Sequence, residues 1–156
     1  MNSKFLGVIF MGSFLLANGL ARAEGGASDQ EKLEKEQAQI DAAVIQSGGT
    51  IAKTLSEKFK IKPEALQKIR GAGPELSPGG GPEWGEITIM LSMARELFKT
   101  NPADYSTYDK ALEKVRGLRA ENAAYEKIAK QLEFNLQPVI AEIRRIRVNL
   151  QGEKRF

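Results

Sequence analysis

Residues 83–99 read EWGEITIMLSMARELFK, and this stretch decides the fold. Trp84, Ile87, Ile89, Met90, Leu91, Met93, Ala94, Leu97 and Phe98 are apolar, and from Ile87 to Met93 they run almost all the way round a helix. A helix of that kind is buried on nearly every side. The period-two alternation of a half-buried strand is absent here and in every other segment. The stretch therefore predicts a central helix in an all-α fold with no sheet.

Upstream lies 72–82 (AGPELSPGGGP), whose three prolines and four glycines sustain neither a helix nor a central strand. It reads as a tolerated insertion or a mobile lid. Before it, Thr50 can cap a helix carrying Ile51, Leu55 and Phe59. Pro63 suits the first turn of the next helix, where its missing N–H costs nothing; Leu66 and Ile69 give the buried side and Gly71 the stop. Ser28 with Glu31 fits a capping box and predicts a helix to about Gln46. Its stripe of Leu33, Ile40 and Val44 is narrow. Lys32, Glu34, Lys35, Glu36 and Gln39 make the rest polar, and Glu31 with Lys35 is a favourable i,i+4 pair. So thin a stripe predicts a loosely attached helix within residues 24–49, ended by Gly48-Gly49.

Downstream, Asn101-Pro102 breaks the chain. Ser106 with Asp109 starts a helix that turns Tyr108, Leu112 and Val115 inward and stops at Gly117. Glu121 to about Glu133 follows with Tyr125, Ile128 and Leu132 on one side. Pro138 opens a last helix with Val139, Ile143, Ile146 and Leu150 inward, and Gly152 closes it. The fold expected is all-α, with about six helices as repeat-like stacked helical hairpins over 50–152, and a signal helix at the N-terminus.

That signal is residues 1–23. Lys4 forms a short positive region, residues 5–16 (FLGVIFMGSFLL) are apolar apart from Ser13, and Ala21-Arg22-Ala23 matches the small-x-small cleavage pattern. The apolar run is too short for a bilayer core, which needs about 20 residues. The reading is export, periplasmic or secreted, after cleavage near Ala23. A retained N-terminal anchor is the alternative. Cleavage of 23 residues leaves 133 and removes Lys4 and Arg22, so the formal net charge falls from +3 to +1. A general affinity for polyanions loses most of its compositional support. No later segment approaches the length of a membrane span.

The chain has no cysteine and no histidine. Disulfides, thiolate nucleophiles and the commonest general base and metal ligand are thereby excluded. Carboxylates, lysines, serines and tyrosines remain, in no recognisable catalytic motif. Neither an enzyme activity nor a cofactor or metal is expected.

Two stretches repeat. Ile51-Ala-Lys-Thr-Leu55 resembles Ile128-Ala-Lys-Gln-Leu132, and Phe59 with Pro63 four on matches Phe134 with Pro138. Each copy reads as a helix, a short turn and a second helix, and such pairs bury their apolar faces by stacking. Coincidence among helices rich in Ile, Leu, Lys and Arg is the alternative. The pattern aromatic-x-x-Ile-Ala, turn, helix ending in Ile-Arg resembles degenerate helix-turn-helix units. Trp84-Gly85-Glu86-Ile87 resembles the W-G-E-I element of small, uncharacterised exported bacterial helical proteins. The resemblance covers about two-thirds of the mature chain and implies no activity. Here Pro82-Glu83 replaces the glycine common before that tryptophan.

The candidate interaction residues are Arg144, Arg145, Arg147, Lys154 and Arg155 at the C-terminus, with Trp84. In a helix-turn-helix protein such arginines meet DNA. Export removes genomic DNA as a partner and shifts the expectation to an anionic lipid or polysaccharide such as lipopolysaccharide, or to extracellular nucleic acid; a solvated basic face at a helix C-terminus explains the same residues. Trp84 reads as a core anchor or, if exposed, a ligand-stacking residue. Tyr105 and Tyr108 beside Asp104 and Asp109 read as a small polar site or as a helix start with one buried tyrosine. The function expected is a non-enzymatic interaction or scaffold protein with an envelope-protein partner. Binding of a polyanion or envelope lipid by the C-terminal basic helix is the alternative.

Overall fold

The computed structural model describes residues 26–47, 50–71 and 81–152. These residues form α1 (Asp29–Ser47), α2 (Thr50–Phe59), α3 (Pro63–Arg70), α4 (Trp84–Thr100), α5 (Tyr108–Ala120), α6 (Tyr125–Gln131) and α7 (Leu136–Gly152), with no strand among them. Among the described residues the fold is all-α, with seven helices rather than about six. The expected signal peptide, the Gly48-Gly49 stop and positions 72–80 of the insertion lie outside the described residues.

Helix α4 sits at the centre, packed by α1, α5 and α7 and touched by α2 and α3. Its two buried hydroxyls are satisfied internally: Thr88 Oγ1 donates to the Trp84 carbonyl (2.8 Å) and Ser92 Oγ to the Thr88 carbonyl (2.9 Å). This lets the helix be enclosed without stranding a polar group. The α4–α5 pair is antiparallel, since Glu86 meets Arg119 and Leu91 meets Tyr108.

Helix α1 begins with the expected capping box. Ser28 N–H donates to Glu31 Oε2 (2.9 Å), and Glu31 N–H donates to Ser28 Oγ (3.1 Å). The helix then runs parallel to α7: Gln137 Nε2 donates to Asp29 Oδ1 (2.8 Å), while Arg144 and Arg147 meet Glu36. The expected thin stripe is wider in the structure. Leu33, Glu36, Ile40 and Ala43 are all buried, at helical spacings of three and four. Gln30 and Glu126 also cap each other's helices: Gln30 N–H donates to Glu126 Oε1 (2.9 Å), and Glu126 N–H to Gln30 Oε1 (3.3 Å).

Four boundaries differ from expectation. Helix α6 starts at Tyr125 and not at Glu121, because Glu121 caps α5 and the left-handed Asn122 turns the chain before the next helix. The N-cap of α5 is Thr107, not Ser106, and its hydroxyl accepts the Lys110 N–H. Gly117 does not stop α5, because the buried row Leu112, Val115, Leu118 continues past it. Helix α7 opens at Leu136, with Pro138 inside its first turn, where an N–H is dispensable. Asn135 Oδ1 accepts the Gln137 N–H there (2.8 Å). Pro63 does open α3, and Gly71 closes it in the left-handed conformation (φ 74°).

The turns after α2, α5 and α6 share one geometry. Lys60, Asn122 and Glu133 take φ of 57°, 58° and 55°. The next residue in each returns its N–H five positions back: Ile61 to Ser56, Ala123 to Leu118, Phe134 to Ala129. These are Schellman closures, each followed by a partly or fully buried apolar residue that ties the turn to the core. The left-handed residue follows Phe59 but precedes Phe134, so the phenylalanine-to-proline spacing is not the register of the turn.

Candidate functional site

On α7 the inward steps of Val139, Ile143, Ile146 and Leu150 leave the arginines between them at the edges. Two turn toward α1. Arg144 Nε donates to Glu36 Oε1 (3.0 Å), and Arg147 Nε donates to Glu36 Oε2 (2.7 Å). Glu36 is only 5 % exposed, Arg147 is mostly covered, and the Arg144 side chain remains 53 % exposed. A carboxylate between two guanidiniums satisfies both of its oxygens, which makes its burial tolerable.

The structure thus divides the nominated basic set. Arg144 and Arg147 grip α1, while Arg145 is exposed and makes no ion pair among the described residues. Lys154 and Arg155 lie outside the described residues. Glu36, grouped by sequence with the polar face, occupies a core position. Its signal was its spacing, three after Leu33 and four before Ile40.

Between α1 and α7 these side chains line a groove of about 500 Å³, with Lys32, Lys35 and Gln39 on the α1 wall. Lys32 pairs with Asp29 (2.9 Å), which holds the Asp29 carboxyl below its usual range. The expected Glu31–Lys35 pair does not form, because Glu31 turns back to cap Ser28. Lys35 is left with no hydrogen bond or ion pair among the described residues.

Trp84 is buried at 6 %, and the Arg70 guanidinium lies 5.0 Å over its ring, so it is a core residue. Its neighbours explain the quartet at the start of α4. Glu83, the N-cap, offers no side-chain bond, and Asp41 of α1 does the capping instead: Gly85 N–H donates to Asp41 Oδ1 at 2.6 Å. A Cβ on Gly85 would collide with the Gln37 carbonyl oxygen and come within 2.9 Å of Asp41 Oδ2. Burial pushes the Asp41 carboxyl above its ordinary value, with Glu83 and Glu86 adding to the shift and the Gly85 hydrogen bond opposing it. Glu86 Oε1 accepts from Arg119 Nε (2.9 Å) and Nη2 (2.6 Å).

A second cleft, of about 390 Å³, opens between α3, α4 and α5, where Gly81 and Pro82 bring the chain out of the insertion. Arg119 lines it but is committed: besides Glu86 it donates Nη1 to the Ala123 carbonyl (2.7 Å) and stacks 4.4 Å from the Tyr125 ring. Arg144 and Arg147 on one side and the end of the insertion at Gly81 and Pro82 on the other therefore border separate cavities.

Comparison with protein-family models, curated proteins and solved structures finds no match for this chain. The W-G-E-I resemblance rests on its residues.

The tyrosines near Asp104 and Asp109 form no polar site. Tyr108 donates its hydroxyl to the Leu91 carbonyl (3.0 Å), and burial drives its ionisation out of reach. Tyr125 does the same with Gln37 Oε1 (2.8 Å). No group of three or more metal-ligating side chains occurs among the described residues, and no helix there is long and apolar enough to cross a membrane.

Proposed function

We propose that this chain is an exported, non-enzymatic helical protein of the cell envelope that works by binding a protein partner, its helix pairs stacked as a scaffold. One observation carries the reading: three covered carboxylates are spent joining helices. Glu36 is held by Arg144 and Arg147, Glu86 by Arg119, and Glu142 by Arg95 (2.8 Å) and Lys58 (3.4 Å). The Tyr108 and Tyr125 hydroxyls are donated away in the same manner. A carboxylate gripped this way braces one helix against another. The three matching turns support the stacked-pair reading, and residues 1–23 support export.

The test uses cells expressing the full chain with a photo-cross-linker at exposed positions, Ile45 and Val148 among them. The expected result is a mature protein beginning at Glu24, with one discrete adduct to an envelope protein. A cytosolic protein retaining Met1, or adduct-free monomer from every position, overturns it.

A second reading has one observation in its favour. Arg145 stands exposed and unpaired on α7, which supports binding of an anionic lipid or polysaccharide through the C-terminal basic helix. Such binding falls steeply with salt and weakens in Arg145→Ala; salt-independent binding excludes it.

A further inference from the structure

We propose that the α1–α7 groove is a binding site for a single phosphate group, seated between Lys35 of α1 and the outer edge of Arg144 of α7. This deepens the second reading, on which it rests, by naming the residues and the ligand chemistry.

The argument starts from donors that the fold leaves unused. Arg144 bonds Glu36 through Nε alone, so its Nη1 and Nη2 carry no hydrogen bond among the described residues. The Lys35 ammonium is likewise unpaired, because the capping box has taken Glu31 away from it. Both line the same groove, with the Gln39 amide beside them. Lys32, Lys35, Arg144 and Arg147 outnumber the two lining carboxylates, Glu31 and Glu36, and both of those are already engaged.

Pre-orientation comes next. Glu36 is itself fixed by Arg147 and buried, so it holds the Arg144 guanidinium by one edge. A guanidinium so held loses little freedom on meeting a ligand, and its fork matches two oxygens of a phosphate. Lys35 supplies a point charge to a third oxygen. The groove volume falls within the roughly 300–1,000 Å³ of small-ligand sites. Arg119 in the α3–α4–α5 cleft makes the contrast: each of its nitrogens is bonded within the protein, and it offers no free edge.

A free phosphate ester and a lipid headgroup present the same chemistry, and the experiment separates them. The mature protein is titrated by NMR, at fixed ionic strength, with inorganic phosphate, with glycerol phosphate, and with vesicles of phosphatidylglycerol or of neutral phosphatidylcholine. Saturable shifts at Lys35 and Arg144 with the soluble phosphates, weakened about tenfold or more by Lys35→Glu, support the site. A response only to phosphatidylglycerol vesicles, lost in the same variant, supports it and assigns the phosphate to a headgroup. Lys35 is exposed and unpaired, so Lys35→Glu keeps the wild-type Tm, and Lys35→Gln is the milder second variant. Absence of any saturable response overturns the proposal. Binding that Lys35→Glu leaves intact while Arg145→Ala removes it also overturns the groove, yet leaves the second reading standing.

Discussion

Gly85 has no room for a methyl group. The obstacle is the backbone carbonyl of Gln37, which no rotamer change can move. Replacing glycine by alanine inside a helix gains about 1 kcal/mol of propensity, less in the first turn. Forcing α1 and α4 apart costs about 1–3 kcal/mol. Gly85→Ala is therefore expected to lower the stability measured in urea, and an unchanged midpoint would refute the close contact. Asp41 on the facing helix makes the complementary case. Its carboxyl titrates above its ordinary 3.8 in the folded protein. The native state thus holds this proton when the unfolded chain has released it, and stability from this group falls as pH rises from 3.8 through the native value. Above that window the full cost of a buried charge remains. Asp41→Asn keeps an acceptor for the Gly85 N–H and removes the charge. It is expected to raise Tm at pH 7, with the advantage over wild type shrinking as pH falls through the native value toward 3.8. Asp41→Ala loses the acceptor and costs about 1 kcal/mol. Thermal melts of the three proteins across pH decide the matter, and an Asn advantage that grows in acid contradicts it.

The helices themselves were the most legible part of the sequence, because their signals are local. Ser28 with Glu31, Pro63 and Gly71 state their roles within a turn, and the structure has them as read. The left-handed turns at Lys60 and Glu133 carried no such signal. Lysine and glutamate have no preference for that conformation; the burial of Ile61 and Phe134 imposes it. Gly117 misled in the opposite direction, since a glycine stops a helix only where the next apolar residue has no seat, and Leu118 has one. The imposed turns are testable. A non-glycine residue in the left-handed region costs about 1–2 kcal/mol, and glycine returns about 0.4–1 kcal/mol of that through the freer unfolded chain. Lys60→Gly and Glu133→Gly are each expected to stabilise by about 0.5–1 kcal/mol in urea. Asn122→Gly gains less, because asparagine already tolerates the conformation. Equal gains at all three positions would show that strain is not what the glycines relieve.

At the scale of the whole molecule, Glu36 determines how the first helix joins the rest. Its partners lie 108 and 111 residues away, a distance at which no sequence pattern announces a contact. That is why α1 read as loosely attached and the arginines as a free basic face: two halves of one ion cluster were met separately. Breaking a buried pair by removing one partner costs about 3–5 kcal/mol when the other is left buried. Here Arg144 is half exposed and Arg147 keeps a bond to Gln151 (3.3 Å), so water relieves part of that cost. Glu36→Ala is expected to lose about 1–3 kcal/mol, with Arg147→Ala more damaging than Arg144→Ala because Arg147 is the more covered of the two. Glu36→Met, which fills the volume without a charge, is expected to fall between wild type and Glu36→Ala. Hydrogen exchange locates the effect: in Glu36→Ala the amides of α1 should lose protection before those of α5, to which neither arginine is hydrogen-bonded. If α1 and α5 lose protection together, the cluster braces the whole core and not the seam between the first helix and the last.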